Sequence, residues 1–259
     1  MVKVRGSVPK RKGPFDMAEG QHLQSVLRDV VSLPSQWHGA GTFRREALEK
    51  VLEHANGLDI QYSAETGTGK TTLLFSHLSA HHTVFAKEDS GDGDSLKVVR
   101  ESPILRSEVV EFLVGPTQRT LPTHEFRSKL QLVLIDGPHG YPFPELEYYY
   151  LYPQISEGGL LILDDINIPT IFNLFTFVRE DRMFELVEVV ETTAFFKRTR
   201  EQLFDPFDDG WWLQEYNRKR FPIRDSVLKY SMSSNLKYLV PLPLKSFLKK
   251  AIRSVRARS

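Results

Sequence analysis

Between Leu58 and Asp165 the chain alternates short apolar runs with stretches that can be helical, and this alternation constrains the fold more than any other feature. Runs near 58–63, 83–87, 109–114, 131–135 and 160–164 read as strands. The stretches 69–80, 94–101, 123–129 and 144–154 between them read as helices. Strands separated this way build βαβ units, so a mostly parallel sheet with right-handed crossovers is expected. After Asp165 the pattern changes. Pro169 to Arg179 reads as a helix, with proline near its first turn. Phe184–Val190 and Ala194–Arg198 are then joined only by Glu191-Thr192-Thr193. So short a connection demands an antiparallel hairpin.

The flanks differ from this body. Residues 17–55 read as helical, with Leu23, Leu27, Val30 and Val31 on one face and Phe43, Leu48, Val51 and Leu52 on another, and Asn56-Gly57 as the stop. The expected organisation is a basic N-terminus (1–16), a helical extension (17–56), an α/β domain (57–199) and a basic C-terminal segment (200–259). The net charge of +1 conceals this segregation. Residues 17–199 hold 16 Lys/Arg against 26 Asp/Glu, whereas 200–259 hold 13 against 6. There is no cysteine, which excludes disulfides and thiolate metal sites. No apolar run approaches the roughly 18 residues of a membrane span, and residues 1–15 lack the apolar centre of a secretory signal. A cytoplasmic enzyme is expected, peripheral to a membrane if its basic end binds one.

Two segments carry the chemistry. One is the turn Ser63-Ala64-Glu65-Thr66-Gly67-Thr68-Gly69-Lys70-Thr71-Thr72, lying between a strand-like and a helix-like run. The other is a pair of strands ending in carboxylates, Leu132-Val133-Leu134-Ile135-Asp136-Gly137 and Leu160-Leu161-Ile162-Leu163-Asp164-Asp165. Parallel α/β sheets bind ligands at the carboxyl ends of their strands, so these segments describe one site for a nucleotide-like cofactor and a divalent cation. Ala64 to Thr71 also satisfies a permissive P-loop, in which Lys70 reaches phosphates and Thr71 holds Mg²⁺ in an NTPase. Against that reading, Ala64 stands where the strict motif has glycine, and the hairpin ending does not suit a P-loop sheet.

Glu65, Gly67 and Gly69 resemble the Glu-x-Gly-x-Gly loop of class I S-adenosylmethionine-dependent methyltransferases. In that family the loop turns beneath the cofactor's methionine and ribose. About twenty residues on, Glu88-Asp89 ends the next strand, where an acid accepts from ribose hydroxyls. Ile135-Asp136-Gly137-Pro138-His139-Gly140-Tyr141 followed by Glu157-Gly158-Gly159 and Asp164-Asp165 looks like the metal-dependent O-methyltransferase branch, with its Asp-Gly-x-His-x-Tyr, Gly-Gly and Asp-Asp motifs. The resemblance spans roughly 57–198. It implies a Rossmann-like seven-stranded sheet with an antiparallel last strand, and S-adenosylmethionine held by Glu65, Gly67, Gly69, Glu88 and Asp136. Lys70 departs from the pattern, since a small residue is commoner there. A non-catalytic protein keeping the fold is the further alternative.

Methyl transfer needs an aligned, anionic nucleophile, and Mg²⁺ on the acceptor oxygen would supply the charge. Asp136, Asp164 and Asp165 are the expected metal ligands, with Asp165 the weakest because adjacent strand side chains point apart. His139 is the candidate base, with Asp136 beside it. His81-His82 read as a surface pair at a helix end. The expected acceptor is a hydroxylated small molecule or glycan, and the acidic body disfavours nucleic acid. In the tail, Leu244, Phe247, Leu248, Ile252 and Val255 recur at helical spacing opposite Lys245, Lys249, Lys250, Arg253, Arg256 and Arg258. Residues 241–259 can therefore contact an anionic membrane, the domain itself or a second copy in a homodimer.

Overall fold

A computed structural model describes residues 15–34, 43–87, 95–205 and 209–220. It divides the chain into two compact units, Met1–Asp208 and Asp209–Ser259. Within the described residues of the first lie seven strands: β1 (Tyr62–Thr66), β2 (His81–Ala86), β3 (Val110–Val114), β4 (Leu130–Ile135), β5 (Ile155–Leu163), β6 (Phe184–Val190) and β7 (Thr193–Arg198). They form one sheet in the order β3-β2-β1-β4-β5-β7-β6. Pairing from β3 to β5 is parallel, while β7 runs antiparallel to both β5 and β6. This is the Rossmann-like α/β sheet with an antiparallel last strand that the sequence implies. In the second unit the described residues form one helical turn, Trp211–Leu213, and the short helix α8 (Glu215–Arg220).

Helices cover both faces of the sheet. On one face α1 (Met17–Ser32), α2 (Arg45–Ala55) and α3 (Lys70–Leu78) bury Leu23, Leu27, Leu48, Val51, Leu73 and Leu74 against Leu132, Leu134, Leu160 and Ile162. On the other, α6 (Phe143–Leu151) and α7 (Pro169–Glu180) pack on Val133, Ile135, Leu161 and Leu163. The faces alternate residue by residue along β4 and β5, as the strand period requires. Asp16 caps α1 by accepting from the Glu19 amide at 2.8 Å. His54 and Lys50 of α2 bond Glu188 of β6 at 2.9 and 3.2 Å, tying the helical extension to the far edge of the sheet.

Three expectations fail. The first strand is Tyr62–Thr66 and not 58–63, because its pairing with β2 and β4 continues through the polar run Ser63 to Thr66. No helix spans 123–129. Helix α5 (Thr117–Thr120) ends in a tight turn containing Pro122, and an extended segment follows. His81 and His82 open β2 instead of ending a helix, and His82 is buried. The basic N-terminus before residue 15, Glu88-Asp89 and the tail 241–259 lie outside the described residues.

Candidate active site

The site starts at the tip of β1. Gly67 adopts a φ of +94°, a left-handed conformation open to glycine, and its amide donates to the Phe85 carbonyl at 2.9 Å. A Cβ built on it would stand 2.7 Å from the backbone oxygen of Asp136, closer than real Cβ atoms come. The chain therefore turns under an open space with its backbone pressed against the β4 tip. Thr66 links the two tips. Its hydroxyl accepts from the Asp136 amide at 3.1 Å and donates to Glu147 Oε2 of α6 at 2.8 Å.

Glu65 does not line this space. Strand alternation sends Ser63 and Glu65 toward α3, opposite to Ala64 and Thr66. The Glu65 carboxylate is fully buried and accepts from the Thr72 hydroxyl, which in turn accepts from the Gly69 amide at 3.0 Å. His82 Nε2 lies 3.2 Å from Glu65 Oε1, and its Nδ1 lies 2.8 Å from Ser63 Oγ. The acid at the start of the loop braces the turn from beneath, and His82 belongs to that brace.

Asp136 follows β4, and His139 lies in the turn after it. His139 Nε2 is 3.7 Å from Asp136 Oδ1 and 3.4 Å from Asp165 Oδ2, with no hydrogen-bond partner among the described residues. One ligand atom from each of Asp136, His139 and Asp165 falls within 4.8 Å of the others, a grouping able to hold a cation. Asp165 reaches this group because its φ is +54°, which breaks the strand alternation expected to turn it away. Asp164 does not join. It is 7% exposed, and the Thr193 hydroxyl of β7 donates to it at 2.5 Å. Of the expected trio, Asp136 and Asp165 fall in this grouping with His139, and Asp164 lies outside it.

Three acids so close together cannot all stay charged without compensation. Burial, opposed by His139 and reinforced by Asp164 and Asp165, pushes Asp136 up to about 7. Burial likewise raises Asp164 to about 6, with Thr193 opposing. Contact with Asp136, opposed by burial, raises the His139 imidazole above its ordinary value. Glu147, sealed beneath Thr66, is raised well above its ordinary value by burial, with hydrogen bonds from Thr66 and Thr117 opposing.

A cavity of about 500 Å³ joins these parts. The sheet order fixes its layout. Lys87 after β2, and Pro116, Thr117 and Gln118 after β3, line one side. Gly67, Thr68 and Gly69 lie in the middle, and Asp136, His139, Asp164 and Asp165 at the β4 and β5 tips line the other side. Residues 64–166 match the model of a methyltransferase domain family. The matched stretch runs from β1 to the tip of β5, the part of the sheet that carries the site. No curated protein matches its sequence. Among solved structures, cofactor-bound Rv0187 from MTB is 13% identical with a TM-score of 0.52, over 72% of this chain and 92% of that one. A candidate caffeoyl-CoA O-methyltransferase from Staphylococcus aureus is 10% identical with a TM-score of 0.51, over 71% and 100%. An O-methyltransferase from Bacillus cereus in complex with SAH is 15% identical with a TM-score of 0.46, over 72% and 92%. Likeness at these identities concerns the fold.

At Gly67 the backbone packs so tightly on Asp136 that no Cβ fits, which holds the turn at the floor of the cavity. Gly67 and Gly69 line it as expected, and so does Asp136. The P-loop alternative fails on topology, since β7 is inserted antiparallel between β5 and β6. Sequence reading missed Phe43, Lys87, Pro116, Thr117 and Gln118 as lining residues, and Thr66, Glu147 and Thr193 as supports. One signal was available for Glu147, which falls on the same helix face as Leu151 at i, i+4.

Proposed function

We propose that this protein moves the methyl group of S-adenosylmethionine to a hydroxyl oxygen of a small molecule or glycan, with a divalent cation assisting. The observation that carries the reading is the meeting of Asp136, His139 and Asp165 at one side of the cavity above the glycine turn. Asp136 and Asp165 would hold the cation, with His139 next to both. A bound cation would lower the pKa of the acceptor hydroxyl and orient it. His139 Nε2, set between two carboxylates and otherwise unpartnered among the described residues, would accept the hydroxyl proton. Asp164, tied to Thr193, keeps the tip of β5 in place. The likeness of fold to a candidate caffeoyl-CoA O-methyltransferase supports oxygen as the methylated atom. From its charge pattern alone, segment 241–259 is proposed to bring the enzyme to an anionic membrane face.

Labelled S-adenosylmethionine, offered with catechols, sugars and glycosides in Mg²⁺ or in excess EDTA, tests the proposal. Label should move to a hydroxylated acceptor and stop in EDTA. Transfer undiminished in EDTA would overturn the cation's part. Tight binding of S-adenosylhomocysteine with no transfer to any acceptor would mark a non-catalytic cofactor-binding protein instead.

A further inference from the structure

Lys70 is the residue the fold uses least predictably. It is the first residue of α3, directly after the glycine turn, and only 6% exposed. An ammonium rarely sits so deep without an acid beside it. Here Lys70 has no acidic partner among the described residues. Its Nζ donates at 2.7 Å to the Leu33 carbonyl, at the end of α1. An ammonium has three N–H donors and no acceptor, and among the described residues only one of the three is bonded. Lys70 lines the cavity next to Gly67 and Gly69, and with Leu33 it also lines a second hollow beside α2. Burial lowers its pKa, an electrostatic cost that a bound anion would cancel.

The cavity holds an obvious asymmetry of charge. Asp136, Asp164 and Asp165 gather at the β4 and β5 tips. Across the glycine turn the lining cations are Lys70 and Lys87. Lys87 is exposed and follows β2, on the side away from β4, whereas Lys70 stands on the turn itself. A cofactor whose amino-acid end carries a carboxylate would meet repulsion at the aspartates and needs a cation on the turn. The amides at the start of α3 add partial positive charge at the same place.

We propose that Lys70 is the receptor for the carboxylate of the cofactor's methionine moiety, its ammonium held in position by the Leu33 carbonyl. This rests on the chain being an S-adenosylmethionine-dependent enzyme. The role links α1 to cofactor binding, since the carbonyl that positions the ammonium belongs to the helical extension.

Calorimetric titration of the full chain with S-adenosylhomocysteine and with 5′-methylthioadenosine, which lacks the amino-acid carboxylate, tests the assignment. For Lys70→Met, affinity for S-adenosylhomocysteine should fall about 10- to 100-fold, the range for a hydrogen bond to a charged group. Affinity for methylthioadenosine should change less than twofold, and Lys70→Arg should recover part of the loss. Equal losses for both ligands would make Lys70 a structural clip and overturn the assignment, as would an undiminished affinity for S-adenosylhomocysteine. Should Lys70→Met fail to fold, the wild-type chain still decides. The methyl ester of S-adenosylhomocysteine should bind at least tenfold more weakly than the free acid, and equal affinity refutes a charged receptor. If the wild-type chain binds neither ligand, the cofactor reading itself fails.

Discussion

Replacing Asp136 with Asn should stabilise the cation-free protein at pH 8, although it removes a residue of the site. The carboxyl sits at about 7, against an ordinary 3.8, chiefly because it is buried. A group raised on folding contributes its full stability below the unfolded value, and that contribution is lost as pH rises through the folded value. The rise from 3.8 to about 7 corresponds to roughly 4 kcal/mol lost by pH 8. The Asp136 side chain keeps 29% of its surface open to the cavity. Water there recovers part of the cost, so we expect about 2 kcal/mol. Asn keeps the shape and carries no charge, so it escapes the penalty. For a unit of this size the gain is about 4–8 °C in melting temperature at pH 8 in EDTA. The difference should vanish near pH 4, where the wild-type carboxyl is protonated. Mg²⁺ should raise the melting temperature of the wild type at pH 8 and leave Asp136→Asn unmoved. A variant less stable than wild type at pH 8 in EDTA, or a difference independent of pH, would refute the reasoning.

Gly67→Ala places a Cβ against the Asp136 oxygen and a side chain in the left-handed region, so it should lower stability by about 1–2 kcal/mol or more and abolish S-adenosylhomocysteine binding by calorimetry. Glu147→Gln keeps an acceptor for Thr66 and should melt within about 1 kcal/mol of wild type, whereas Glu147→Ala opens a cavity and strands the hydroxyl at a cost of about 2–4 kcal/mol, both read by denaturant titration. Protons and cations compete for Asp136, so Mg²⁺ affinity should weaken as pH falls from 8 to 6, with proton release visible in buffers of different ionisation enthalpy. Deleting 241–259 should abolish salt-sensitive binding to anionic vesicles, to which each of the six cations would add about 1 kcal/mol.

What the sequence made legible followed from periodicity. Leu132 to Ile135 and Leu160 to Leu163 announce buried strands, and the three-residue link before Ala194 forces the antiparallel ending. The positions of Asp136, Gly67 and Gly69 at strand ends follow from the same reasoning. Side-chain direction was harder to read. Glu65 stands at the head of the glycine turn, yet one step of strand alternation puts its carboxylate under the turn with Thr72 and His82. His82 looks like surface because polar His81 and Ala80 precede it, and only the pairing of β1 with β2 buries it. Thr193 and Asp164 are distant in sequence, and their bond exists because β7 lies beside β5. None of these contacts has a local signal.

The pair Asp164-Asp165 shows how one backbone angle separates two tasks. Along a regular strand, consecutive side chains face opposite sides, and one of two adjacent acids would be lost to the site. Here the strand ends at Leu163, so both aspartates lie just past it. Asp164 is still tethered by the ladder, its amide donating to the Ile135 carbonyl at 3.1 Å, and it turns inward to Thr193. Asp165 enters the left-handed region, which Asp tolerates better than most residues. The next amide, that of Ile166, is caught by the Thr192 carbonyl at 2.9 Å, which holds the bend. Asp165 is thereby carried over to His139 and Asp136. The hairpin that closes the sheet supplies both anchors, Thr193 for the buried carboxylate and Thr192 for the bend that frees its neighbour. Its antiparallel return beside β5 is therefore a requirement of the site as well as of the sheet.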